Sequence, residues 1–170
     1  MNKLFLNVRF RLAPTSSQAP QLQLQARLHE RAQLHAQQPD APGFSLAARI
    51  ECGELSIEAG RDWLAAQPEL EAAAPALLLA ALQDLLVRRA RAAVAVAQGM
   101  PLPPVVQIRG TGLIHPSIQG VQVRGCSGLI RTQDDELPTW AQTAGDASEI
   151  SRIFPAEGSW WLEVVRASNC

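Results

Sequence analysis

Three histidines, His29, His35 and His115, are the side chains of this 170-residue chain best suited to moving a proton near neutral pH. His29 and His35 stand six apart in a stretch of good helix formers. They therefore point in different directions and build neither an i,i+4 zinc pair nor a Cys/His cluster. His35 shares a stripe with Leu24, Leu28 and Ala32, the setting of a core-edge histidine. His115 precedes Pro116 in a glycine-bounded segment, which makes it the better candidate for exposed chemistry. These three are the candidate general bases if the protein is catalytic.

Most other chemistries fall away on inventory. Lys3 is the sole lysine, which leaves Schiff-base and P-loop chemistry close to excluded. Gly110-Thr111-Gly112 lacks the third glycine of a dinucleotide loop, and His115 stands in its place. Gly125-Cys126-Ser127-Gly128 lacks the glycine spacing of a nucleophile elbow. Cys52, Cys126 and Cys170 contain no C-x-x-C pair, and an odd count makes a poor disulfide framework, so a reducing cytoplasm is expected. Neither a metal nor an organic cofactor is expected.

Binding chemistry is better represented. Fourteen of the fifteen basic residues are arginines, whose planar forks suit phosphate and carboxylate. Charge is segregated along the chain. Residues 1–50 carry six basic and two acidic side chains, 51–75 one and six, 76–131 six and one, and 132–170 two and seven. The net charge of -1 removes the usual signature of a dedicated nucleic-acid binder, yet such blocks can give a near-neutral protein one basic and one acidic face. The basic block supplies Arg88, Arg89, Arg91, Arg109, Arg124 and Arg131 as candidate binding residues. Trp160 and Trp161 join them: adjacent residues of a strand face opposite ways, so one should enter the core and the other cover an edge or an interface.

The elements that must position these groups follow from periodicity. Leu4, Leu6, Val8, Phe10 and Leu12 alternate with Phe5, Asn7, Arg9 and Arg11, the period of a strand with one buried face. Gln21 to Gln38 reads as a helix that stops before Pro39. Leu46, Ala48, Ile50 and Cys52 share one parity and Leu55, Ile57 and Ala59 the other, which predicts a β-hairpin turning at Gly53 and Glu54, with Cys52 opposite Leu55. Asp62 is expected to cap a short helical turn through Trp63 and Leu64. A long helix is expected from Pro75 to Gln98, capped by Gly99. On it Asp84 and Arg88 form an i,i+4 pair, whereas Arg89 points with Leu78, Leu82 and Leu85, where its charge must snorkel or meet a carboxylate of an acidic block or of a partner chain. Short strands follow over 105–109, 118–124 and 128–132. A polar loop or lid then spans 133–155, and a last strand runs from Trp160 to Arg166.

At this length the chain can bury roughly 70% of its unfolded surface in one core. The apolar run from Ala76 to Ala97 has the length of a membrane span but is interrupted by Asp84, Arg88, Arg89 and Arg91, so no membrane association is expected. Leu4 to Leu6 is too short for a signal-peptide core. In order, residues 1–109 give strand, helix, strand, strand, helix, strand. This predicts an α+β fold with a ferredoxin-like βαββαβ core over 1–109 and a glycine-rich β extension over 110–170, packed as one domain.

Two functions fit. The first is a non-enzymatic interaction or assembly subunit of a larger complex, docking a protein partner or another copy of itself through segregated charge and an apolar, tryptophan-bearing surface. The second is RNA binding or processing. Gly110, Gly112, Gly120, Gly125 and Gly128, with Arg109, Arg124 and Arg131 interleaved and a helix histidine at His29 or His35, resemble the glycine-rich loop on a ferredoxin-like unit of the repeat-associated RNA-processing proteins of CRISPR systems. That resemblance covers about a third of the chain and implies RNA as ligand, with the histidine as general base. The neutral net charge departs from it.

Overall fold

The alternation beginning at Leu4 folds as strand β1 (Leu4–Ala13). We describe a computed structural model of the chain over residues 4–40, 43–110, 112–133, 136–142 and 150–168. Chain order continues with α1 (Gln18–Gln37), a short ribbon of β2 (Pro39–Asp40) and β3 (Phe44–Ser45), α2 (Leu46–Glu51), α3 (Ile57–Ala65), a 3₁₀ turn (Pro68–Leu70), α4 (Pro75–Arg91) and α5 (Ala93–Ala97). Then come β4 (Ile108–Arg109), β5 (Ile114–Ser117), β6 (Gly120–Val123), β7 (Leu129–Thr132), α6 (Thr139–Gln142), β8 (Ile150–Ala156) and β9 (Ser159–Ser168). The α+β class holds.

Two compact units divide the chain: Met1–Ala26 with Gln107–Cys170, and Arg27–Val106. The first is built on an antiparallel seven-stranded sheet ordered β4-β8-β9-β1-β7-β6-β5. Its middle strand is β1, paired with β9 from Leu4↔Ser168 to Leu12↔Trp160 and with β7 at Leu12↔Thr132. Alternation sends Leu12, Val121, Ile130, Ile153, Leu162 and Val164 to one face, where each is at most 3% exposed. Complete burial of side chains of this size contributes about 1.5–3 kcal/mol each. The opposite parity, Arg9, Arg11 and Arg131 among it, faces outward.

The second unit is helical apart from the β2–β3 ribbon. Leu64, Leu77, Leu78, Leu82 and Leu85 of α3 and α4 form its core, with Ala32 and Ala36 of α1 also buried. A polar clamp holds the proline-rich segment after α5. Gln33 donates to Asp84 (2.9 Å) and accepts from Arg88 (2.6 Å) and from the Val105 amide (3.3 Å), while Gln37 bonds both backbone groups of Leu102.

Several expectations need correction. The hairpin at Gly53 and Glu54 is absent: both flanking runs are helices, α2 and α3, and the βαββαβ order expected for a ferredoxin-like core over 1–109 goes with it. Alternating parity was outweighed by capping. Ser45 accepts from the Ala48 amide (3.2 Å) and Ser56 from the Ala59 amide (3.1 Å), each satisfying an orphan donor of a first turn. Gly53, at φ 78°, ends α2 in the left-handed conformation instead of turning a hairpin. Gly60 lets the two helices approach, since a Cβ there would meet Ile50 Cδ1 at 2.6 Å.

The long helix breaks at Ala92, and α5 beyond it buries no side chain that would hold it in register. The strand expected over 105–109 shortens to Ile108–Arg109, because the Val105 amide is engaged by Gln33. The strand expected over 118–124 starts only at Gly120; Ile118 and Gln119 form the turn between β5 and β6, and His115 lies on a strand. The expected loop over 133–155 contains α6 and β8, the latter paired with β9 around a Glu157–Gly158 turn whose φ values are 53° and 72°. Residues 134–135 and 143–149 of that loop, like Thr111 and Cys170, lie outside the described residues.

Candidate binding face of the sheet

The outward parity of β4, β8, β9 and β1 arranges its side chains in two rows across the first unit. Register places Arg109 beside Arg152, Arg152 beside Glu163 and Glu163 beside Arg9. Two residues along, Phe154 neighbours Trp161, which neighbours Arg11. Strands stand about 4.8 Å apart and alternate residues about 6.8 Å apart, so a guanidinium row runs beside an aromatic row. On β7 the same parity carries Arg131, opposite Ala13.

Glu163 organises the guanidinium row. Its carboxylate accepts from Arg9 Nε (2.7 Å) and Arg152 Nε (2.7 Å), and its side chain is 6% exposed. Burial alone would raise this carboxyl, but the hydrogen bonds and charges of Arg152 and Arg9 outweigh it and hold the group below the ordinary carboxylate range. Two cations on one anion leave the row positive. Both also reach over the Phe154 ring, with Arg152 Cζ 4.5 Å and Arg9 Cζ 5.4 Å from its centroid, favourable cation–π distances. The Trp161 indole N–H donates to the Ala156 carbonyl (3.2 Å), fixing the ring on β8, and Arg11 Nε donates to Ser159 Oγ (3.0 Å). Arg9 nevertheless leaves 58% of its side chain in water.

An open cleft of about 360 Å³ lies toward the β5 edge of the same unit, lined by Gly112, His115, Gln122, Arg124, Cys126 and Gly128 among others. Glutamines of α1 shape it. Gln18 Nε2 donates to the Ser127 and Leu129 carbonyls (2.8 and 3.2 Å), Gln21 Oε1 accepts from the Ser127 amide (2.8 Å), and Gly125 packs so closely on Gln25 that a Cβ would collide with it. Burial pushes the Cys126 thiol up to about 11, so it stays protonated and is a poor nucleophile.

The expected binding residues are divided by the fold. Arg109 and Arg131 lie on the outer face, Arg124 is exposed beside the cleft, and Arg91 is exposed on α4 in the second unit. Arg88 is turned inward to Gln33 and the Pro103 carbonyl, 3.5 Å from Asp84. Arg89 meets the carboxylate anticipated for it: Nε and an Nη donate to Glu51 at 2.6 and 2.9 Å, and the residue is 8% exposed. Neither tryptophan enters the core as expected. Trp160 has the buried parity but sits at the end of β9 opposite Leu12, and Trp161 faces outward; both are half-buried.

Among the histidines, His29 is 0% exposed, His35 bonds Glu69 at 2.9 Å, and His115 is exposed opposite Gln122. The described residues contain no group of three or more His, Cys, Asp or Glu able to hold a metal ion. Arg9, Arg11, Arg152 and Phe154 were missed as site residues. For Arg9 and Arg11 the signal was present, because the alternation that buries Leu12 must expose them. Arg152 and Phe154 went unread with the strand that carries them. No protein-family model matches this chain, and no curated protein does.

Proposed function

We propose that this chain is a non-enzymatic binding subunit of a larger assembly, and that its docking surface is the outer face of the seven-stranded sheet, turned toward a partner that carries negative charge. One observation carries this reading: Arg9, Arg11, Arg131 and Arg152 share that face with a single described strand carboxylate, Glu163, already engaged by two of them. Guanidiniums fixed on a rigid sheet lose little entropy when they meet an anion, and a surface of one sign steers encounter. Among the described residues no helix is long and apolar enough to cross a membrane. Cys52 and Cys126 are free thiols, which fits a reducing compartment and the cytoplasm as the proposed setting.

Elution from immobilised heparin, a generic polyanion, tests the reading. The parent should be retained, and Arg11→Glu with Arg131→Glu should elute at clearly lower salt, whereas Arg91→Glu, on α4, should elute with the parent. Retention unaffected by the double reversal, or lost on Arg91→Glu, contradicts the assignment.

A further inference from the structure

We propose that the partner of this face is single-stranded nucleic acid, with bases stacked on the row of Phe154 and Trp161 and phosphates held by the adjoining guanidiniums. The inference rests on the docking reading above and narrows it to one class of ligand. A polyanion is all that the charge requires; the aromatic row selects among polyanions. The face of an aromatic ring is the negative part of its quadrupole, so the carboxylates of an acidic peptide gain nothing from Phe154 and Trp161. A base gains a stacking surface, and every base has one. The two rows lie side by side at a separation of about 6.8 Å, so one strand can engage both along its length.

Arg9 and Arg152 lie over the Phe154 ring, so on the face they cover a base stacks on their guanidiniums and on Trp161 beside them. Their guanidiniums sit 4.5 and 5.4 Å from the ring centroid, and a guanidinium plane is itself a surface on which bases stack. Trp161 is oriented in advance by its bond to the Ala156 carbonyl. A duplex keeps its bases stacked inside and offers this face only phosphates, so it forgoes the aromatic row. The expected ligand is therefore a strand with unpaired bases.

The test is fluorescence anisotropy with labelled single-stranded homopolymers of uridine and of thymidine, a duplex of equal length, and polyglutamate, each at two salt concentrations. Single strands should bind at least about tenfold more tightly than duplex or polyglutamate, and Trp161→Ala should weaken them by roughly tenfold while lowering the salt of heparin elution far less than Arg11→Glu with Arg131→Glu does. Phe154→Leu, which keeps an apolar side chain, serves as the second variant should Trp161→Ala fold poorly, and should act in the same direction. Affinity should fall by roughly 0.7 log units per phosphate contact for each tenfold rise in salt. Equal binding of single strand, duplex and polyglutamate, unaffected by either aromatic substitution, overturns this proposal and leaves the docking reading standing. Preference for polyglutamate makes the partner an acidic protein and likewise overturns it. Loss of heparin retention together with all four probes overturns both.

Discussion

Arginine serves opposite ends on the packed side of α4 and on the outer parity of the sheet, while Arg27, Arg31 and Arg91 of the helical unit are exposed. In the helical unit Arg88 and Arg89 are turned inward, onto Gln33 and the Pro103 carbonyl in one case and onto Glu51 in the other. In the sheet unit Arg9, Arg11 and Arg131 are exposed. The difference lies in what the backbone sets opposite each guanidinium. A helix face that packs on other helices surrounds its arginines with carboxylates, amides and carbonyls; a strand of a one-sided sheet projects every second residue into water. Arginine content alone therefore says little about function, and the parity on which an arginine falls says much more.

The largest expected effect tests the inward half of this contrast. Arg89→Ala leaves Glu51 without its bidentate partner and opens a gap beside α4. Because Glu51 is about a third exposed, the loss should be about 2–4 kcal/mol, below that of a fully buried pair, read as a lowered urea midpoint. Gly120→Ala should follow at about 2–3 kcal/mol, since the added methyl strikes the Ile130 carbonyl and the Arg131 backbone and must push β6 from β7. Gln18→Ala removes the two bonds that hold the Ser127 and Leu129 carbonyls and should cost about 1–2 kcal/mol.

Glu163 gives the contrast a pH dependence. Its folded pKa lies below its unfolded one, so its pairing with Arg9 and Arg152 contributes fully above the ordinary carboxylate range. That contribution is lost as pH falls through the folded value. The melting temperature of the parent should drop more steeply than that of Glu163→Gln between about pH 5 and about pH 3. Parallel curves would show that the pair contributes nothing to stability. The smallest expected effect is that of Arg11→Ala with Arg131→Ala, within about 0.5 kcal/mol per site, although the same pair should be the most damaging to polyanion binding. A large loss of stability there would make these arginines structural and erase the contrast.

How legible all this was in the sequence follows the length of each element. Ten alternating residues specify β1, and good helix formers ending at Pro39 specify α1. Short segments failed, because six or seven residues such as Leu46–Cys52 satisfy period 2 and period 3.6 alike. There the caps Ser45 and Ser56 decide, through single hydrogen bonds that periodicity does not register. Strand β8 went unread because its pattern is short and follows a polar stretch, and its Glu157–Gly158 turn, with both φ values positive, was the available clue. The site itself was half legible. Arg109 and Arg131 were singled out, but the rows come from the local β8–β9 hairpin together with the pairing of β1 with β9 across more than 140 residues of sequence, and no local pattern encodes the second of these.

The central claim, that the outer sheet face is the docking surface, is most directly tested by backbone amide chemical shifts of nitrogen-labelled protein titrated with a single-stranded oligonucleotide or with heparin. The account requires the perturbed amides to cluster on β1, β8 and β9 around Arg9, Arg11, Arg152 and Trp161, and the cluster to vanish in the Arg11→Glu, Arg131→Glu variant. Perturbations confined to α4 around Arg88 to Arg91, with the sheet silent, would contradict it.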